Sequence, residues 1–172
     1  MATLHIGDIK SIAKQAHENA AVRQSLFDAI TGADREEAVH SAWALTHLPK
    51  SDVEHIAAHR EMLVSVATTT ADTSLRRITL SLLEKLDWSI DNADEVPEYY
   101  VNLLDFTMTH LMMPEEPYGV RSLCMKLAYT LSLPYPELLS ELRQSLQMIE
   151  PSELGAGVRH TWKKILGVIG NA

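Results

Sequence analysis

Apolar positions in this chain recur at helical spacing, and three stretches echo one another: LRRITLSLLEKL (75–86), VRSLCMKLAYTL (120–131) and VRHTWKKILGVI (158–169). Each opens on an aliphatic residue followed by arginine, as Leu75–Arg76, Val120–Arg121 and Val158–Arg159. Each then places aliphatic residues six, seven and ten positions beyond that arginine, with Ala128 the one reduced in size. Residues three and four apart share one face of a helix, so each stretch predicts an amphipathic helix with its stripe turned inward. A fainter fourth copy, AVHSAWALTHL (38–48), keeps Leu45 and Leu48 but has Ala38 where the arginine stands elsewhere. The closing positions Leu48, Leu86, Leu131 and Ile169 are separated by 38, 45 and 38 residues.

Helix start and stop signals divide the rest. Asp8 caps a helix to about Glu18, and Asn19 caps a second ending near Thr31–Gly32. Asp34 starts a helix closing at Leu48. Ser51, with Glu54 three residues later, forms a capping box for a helix running to about Thr69. Asp72 opens the next, to about Trp88. After an irregular, acidic link over 89–96, Pro97 suits the first turn of a helix to Met112 or Met113. Helices over 118–133, up to Ile149, and from Pro151–Ser152 to Ile169 complete the series. No segment alternates with strand period. About nine helices in antiparallel pairs are predicted, the first an N-terminal cap. Leu82, Leu83, Leu86, Leu123, Leu127, Leu131, Ile165, Leu166 and Ile169 form the expected spine of the core. Leu103, Leu104, Leu138, Leu142 and Leu146 face them.

Charge changes the picture in one place. The 172 residues carry 15 Lys and Arg against 23 Asp and Glu, a net charge of −8. Asp87, Asp91, Asp94, Glu95, Glu98, Asp105, Glu115 and Glu116 fall between Lys85 and Arg121, a span without a basic lysine or arginine, and account for the whole imbalance. Such a segment repels phosphate backbones and reads first as a solvated surface. The single cysteine, Cys124, faces inward and cannot make an internal disulfide, which fits a reducing compartment. No signal-peptide pattern or membrane-length apolar run is present, so a cytoplasmic protein without membrane attachment is expected.

The spacing of the repeats is close to the roughly 40–47 residues of helix-pair arrays, and the chain resembles the HEAT/armadillo superfamily along essentially its full length. Asp34 and Asp72 lie in turns, and Arg76, Arg121 and Arg159 at helix starts. The resemblance implies an all-α, right-handed α–α superhelix of about four helix pairs plus the capping helix, one domain over residues 1–172. It also implies that the recurrent arginine bonds an acidic turn residue of a neighbouring repeat. SAWALTHL, TSLRRITLSLLEKL and LCMKLAYTL…ELLSELRQSL further resemble small bacterial helical-repeat proteins often labelled adenylosuccinate lyase. The lyase superfamily uses a Gly-Ser-Ser-x-Met-Pro-x-Lys-x-Asn loop. Ser122, Met125 and Lys126 lie inside a predicted helix with no Gly-Ser-Ser before them, so no lyase chemistry passes to any residue here.

Candidate chemistry is sparse. His55 and His59 stand four apart, but a zinc site needs further ligands that neither spacing supplies. Cys124, among Leu123, Leu127 and Ala128, reads as a small hydrophobe. The adjacent pairs Glu36–Glu37 and Glu115–Glu116 suit first turns of helices. No catalytic residue, metal site or cofactor is expected. Aligning the second helix of each pair yields one outward column, Trp43, Ser81, Lys126 and Lys164, with His47 and Lys85 beside it and Arg77, Tyr129, His160 and Lys163 near the same surface. On the concave side of a stack these residues would grip an acidic segment of a protein partner. Nucleic acid is disfavoured by the charge, as its phosphates need a basic stripe. A HEAT-like glycosylase and a small-molecule enzyme are the alternatives to this scaffold. Oligomeric state is left open.

Overall fold

The computed structural model describes residues 5–90, 92 and 95–170. They form ten α-helices and no strand among the described residues: α1 (Ile6–Glu18), α2 (Ala20–Ile30), α3 (Arg35–Thr46), α4 (Val53–Ala57), α5 (Arg60–Thr69), α6 (Thr73–Leu83), α7 (Glu98–His110), α8 (Tyr118–Ser132), α9 (Pro136–Met148) and α10 (Ala156–Ile169). Short 3₁₀ turns at Lys50–Asp52 and Pro151–Glu153 precede α4 and α10. The chain falls into two compact units, divided between Leu86 and Asp87.

In the first unit α2 packs on α3 and α5 on α6, the two pairs meet through α3 and α6, and α1 lies against α2 and α3 as a cap. In the second, α7 packs on α8 and α9 on α10, and the pairs meet through α8 and α10. Two hairpins per unit plus the cap reproduce the pairing that the sequence pattern predicts. The apolar positions explain it. Leu82, Leu83, Leu86, Leu127, Leu131, Ile165, Ile169, Leu103, Leu104, Leu142 and Leu146 are all buried. Leu123, Leu138 and Leu166 are half-buried, on the shoulders of their stripes.

The recurrent arginine occupies the fourth helical position in α6, α8 and α10. A side chain there leans back over the first turn of its own helix. That aims the guanidinium at carbonyls of the preceding element, most of them at its end, where backbone acceptors lack intrahelical donors. Arg76 donates to Thr70 O at 2.6 Å, Arg121 to Leu111 O at 3.1 Å, and Arg159 to Pro151 O and Leu154 O at 3.1 and 2.9 Å. Arg23, fourth in α2, repeats the device on Ala16 O at 2.8 Å. Its Val22–Arg23 dipeptide is a copy of the motif that the sequence alignment missed, because Ala29 and Ala33 are small where the other copies carry larger aliphatics. The expected rung to an acidic turn residue is made by Arg35, which is bonded to Asp72 across the α3–α6 contact.

Caps follow the signals at Asn19, Asp34 and Asp72, whose side chains accept from backbone N–H groups of α2, α3 and α6. Several boundaries differ. Asp8 sits inside α1 rather than before it and accepts from His5 N at 2.8 Å. Ser51 caps nothing: Pro49 leads into the 3₁₀ turn, and the Ser51 hydroxyl donates to Asp52 Oδ1 at 3.2 Å. The single helix expected to Thr69 breaks at Ala58–His59. There the His59 ring stacks on Phe27 at 3.7 Å, its Nδ1 lies 3.0 Å from His55 O, and its N–H bonds Ile56 O in a tighter turn. Another difference lies at Glu115–Glu116, which precede α8 instead of sitting in its first turn, since Pro117 is the N-cap of that helix.

Trp88, placed at the end of a helix by its pattern, is buried beyond α6 and meets Tyr100 edge-on at 5.9 Å. Tyr100 donates its hydroxyl to Leu131 O at 2.6 Å, tying α7 to the end of α8, and burial together with Tyr135 raises its pKa to about 12.

Candidate functional site

The described acidic residues of the 87–116 segment are exposed with one exception; Asp91 and Asp94 lie outside the described residues. Glu116 is buried, and its Oε1 lies 2.7 Å from His110 Nδ1, whose ring stacks on Phe106 at 3.8 Å. A like pair joins α1 to the turn before α4. His17 Nδ1 lies 3.0 and 3.1 Å from the two oxygens of Asp52, which is 5 % exposed. A carboxylate can only accept, so Nδ1 carries the proton. The His17–Asp52 pair was not legible from spacing, since the two are 35 residues apart, whereas His110 and Glu116 lie six apart across the turn from α7 to α8.

Burial alone would raise the Asp52 pKa, but the hydrogen bond and charge of His17, the Ser51 hydroxyl and Arg23 outweigh it and hold it below the usual range. Asp72 is likewise lowered: against its burial stand the Leu75 and Ser74 N–H groups and Arg35. A depressed folded-state pKa contributes stability that is present above the unfolded value, about 3.9, and lost as pH falls through the folded one. Asp52→Asn is therefore expected to flatten the fall of melting temperature below about pH 4, measured by circular dichroism from pH 6 to pH 2. An acid limb as steep as wild type would show that Asp52 contributes nothing to it.

The residues of the predicted column fall into two groups. In the first unit Trp43 and His47 belong to α3 and its C-terminal cap, and Arg77, Ser81 and Lys85 to α6 and the turn after it. The Trp43 and His47 rings lie 6.3 Å apart, and both Trp43 and Ser81 are half-buried. Ser81 turns its hydroxyl to Ile78 O at 2.7 Å. Lys85 Nζ donates to Thr46 O at 2.9 Å, joining the two helices where they end. Partial burial lowers the Lys85 pKa against the opposing attraction of Glu84. In the second unit Lys126 and Tyr129 stand on α8, and His160, Lys163 and Lys164 on α10. Ser122 and Thr161 hydroxyls meet at 2.8 Å between these helices. The three lysines and His160 are exposed, and Tyr129 is half-buried.

The second helices differ in charge: α3 carries Glu36 and Glu37 beside Arg35, while the other three are free of acid. α6, α8 and α10 contain Arg76, Arg77, Arg121, Lys126, Arg159, Lys163 and Lys164 and not one Asp or Glu. Among their partners, α5 carries Arg60 and Glu61 in balance, whereas α7 and α9 carry Glu98, Asp105, Glu137 and Glu141 against Arg143 alone. Arg76, Arg121 and Arg159 donate to carbonyls, and Arg77, Lys126, Lys163 and Lys164 are exposed on these second helices.

Other candidates carry less. His55 and His59 do not converge as ligands, since the His59 ring lies on Phe27. No group of three or more His, Cys, Asp or Glu side chains is poised to hold a metal among the described residues. Cys124 is fully buried in α8. Ser122, Met125 and Lys126 lie within the same helix, with Met125 buried, Lys126 exposed and Ser122 turned to Thr161. No described helix is long and apolar enough to cross a membrane.

No curated protein and no solved structure matches the chain. A family model described as a HEAT repeat domain matches residues 1–169, the span that holds every hairpin and every arginine clasp described above. With the paired helices and their recurrent motif, that match makes this chain a member of the HEAT repeat family.

Proposed function

We propose that the protein is a non-enzymatic interaction scaffold, one repeat domain over residues 1–172, that grips an acidic segment of a partner protein through its second helices. The observation that carries this reading is the absence of acid from α6, α8 and α10 beside seven Lys and Arg residues. In a chain of net charge −8 that separation leaves one kind of surface free of like-charge repulsion toward an anion. Tyr129, half-buried on the same helix as Lys126, adds aromatic area of the kind that anchors interfaces. Recovery of partners by a tagged bait from cell extract is expected to fall to background when Lys126 and Lys164 are both changed to Glu, with the helical circular-dichroism spectrum unchanged. Retention of every partner by that variant would reject the surface.

A second reading uses the same stripe. Phosphate contacts dominate nucleic-acid affinity and call for acid-free, basic helices. A salt-dependent shift of labelled duplex DNA by the wild-type chain, lost in the same double variant, would favour it over the protein partner.

A further inference from the structure

Where α3 and α6 end, the first unit carries a cleft of about 500 Å³ lined by Leu48, Pro49, Lys50, Val53, Ile56 and Lys85. Its walls are aliphatic and its only charged groups are two ammonium ions. The break in the helix expected over 51–69 shapes it: the 3₁₀ turn at Lys50–Asp52 and the short α4 bring Val53 and Ile56 against the end of α3. Lys85 is held in place by its bond to Thr46 O, a neutral acceptor that takes one of three ammonium protons. Partial burial also makes this charge less hydrated and costlier than a free surface lysine. A second cleft of about 330 Å³ shares Pro49 and is lined by Lys10, Lys14, His17 and His47 with Ala13. No carboxylate lines either cleft. Asp52, which accepts from His17 Nδ1, is buried.

We infer that the paired clefts at Pro49 form a docking site for an extended protein segment in which an aliphatic side chain is flanked by carboxylates. The aliphatic group seats on Leu48, Val53 and Ile56, one carboxylate meets Lys85 and Lys50, and another crosses Pro49 to Lys10 and Lys14. A purely apolar ligand brings no anion into the cleft, where Lys85 feels the attraction of exposed Glu84 but meets no lining carboxylate, and a purely acidic one leaves the aliphatic wall wet. The occupant therefore combines both chemistries. This goes beyond the reading above: it takes Lys85 and His47 of the predicted column but centres on Pro49 and α4 rather than on α8 and α10.

The probe is the peptide acetyl-Glu-Glu-Leu-Leu-Glu-Glu-amide, titrated into the ¹⁵N-labelled full chain and followed by amide chemical shifts. Saturable shifts are expected at Leu48, Lys50, Val53, Ile56 and Lys85, with smaller ones at Lys10 and Lys14. Analogues with Gln for Glu, or Ser for Leu, are expected to bind at least about tenfold more weakly, the scale of one charge-assisted contact. Lys85→Met should weaken the peptide by a similar factor, and Lys50→Met, exposed and outside the core, provides the same readout if Lys85→Met is unstable. The Lys126→Glu, Lys164→Glu variant should titrate as wild type, which separates this site from the surface on α8 and α10. Absence of saturable shifts at 48–56, equal binding of the Gln analogue, or shifts confined to α8 and α10 would each overturn the assignment.

Discussion

Truncating Leu127 to alanine is expected to cost about 2–5 kcal/mol of folding stability, the range for removing a fully enclosed leucine side chain. Leu127 is 1 % exposed on the inward stripe of α8, which packs against α7, α9 and α10. Cavity cost scales with how little the surroundings can collapse, and neighbours held on three helices have little freedom to follow. Leu123, one turn earlier and half-buried, tests the argument from the other side. Its truncation removes less buried area and should cost about 1 kcal/mol. Urea unfolding followed by far-ultraviolet circular dichroism measures both, and equal losses at the two positions would contradict the packing described for α8.

Arg121→Ala is expected to be nearly as damaging, at about 2–4 kcal/mol, because it combines lost packing of the aliphatic stem with an orphaned carbonyl. Arg121 is 2 % exposed and donates to Leu111 O, whose residue is itself fully buried. Arg121→Met refills most of the stem volume yet leaves the carbonyl without its donor, so it should recover part of the loss and not all. Arg159 performs the same task half-exposed, where water can replace the lost donor. Its alanine variant should cost clearly less. The order Arg121→Ala, Arg121→Met, Arg159→Ala in falling severity, read from urea midpoints, is the signature of a buried carbonyl clasp. A surface ion pair would give uniformly small values.

The clasp also shows what a linear pattern conveys. The aliphatic–arginine dipeptide was visible three times in the sequence, and its fixed place at the fourth helical residue follows from side-chain direction alone. The resemblance implies that it bonds an acidic turn residue; the bonds described for Arg76, Arg121 and Arg159 go to carbonyls of the preceding element. Ala38 stands at the same position in α3, buried, and there the neighbouring Arg35 reaches Asp72 instead. The outward column was legible too, as residues on second helices. Its division by unit and the engagement of Lys85 with Thr46 were not.

Local chemistry was enough to determine the helical class, the pairing into hairpins, the caps at Asn19, Asp34 and Asp72, and most of the core, since each depends on residues within about one turn or on a face repeating every 3.6 residues. Tertiary structure alone decided the break at Ala58–His59, the partnerships of His17 with Asp52 and His110 with Glu116, and the clefts that share Pro49. Phe27 stacks on a histidine 32 positions away, and Lys85 bonds a carbonyl 39 positions away. Such contacts exist only after hairpins have packed, and no periodicity along the chain encodes which side chains that packing brings face to face.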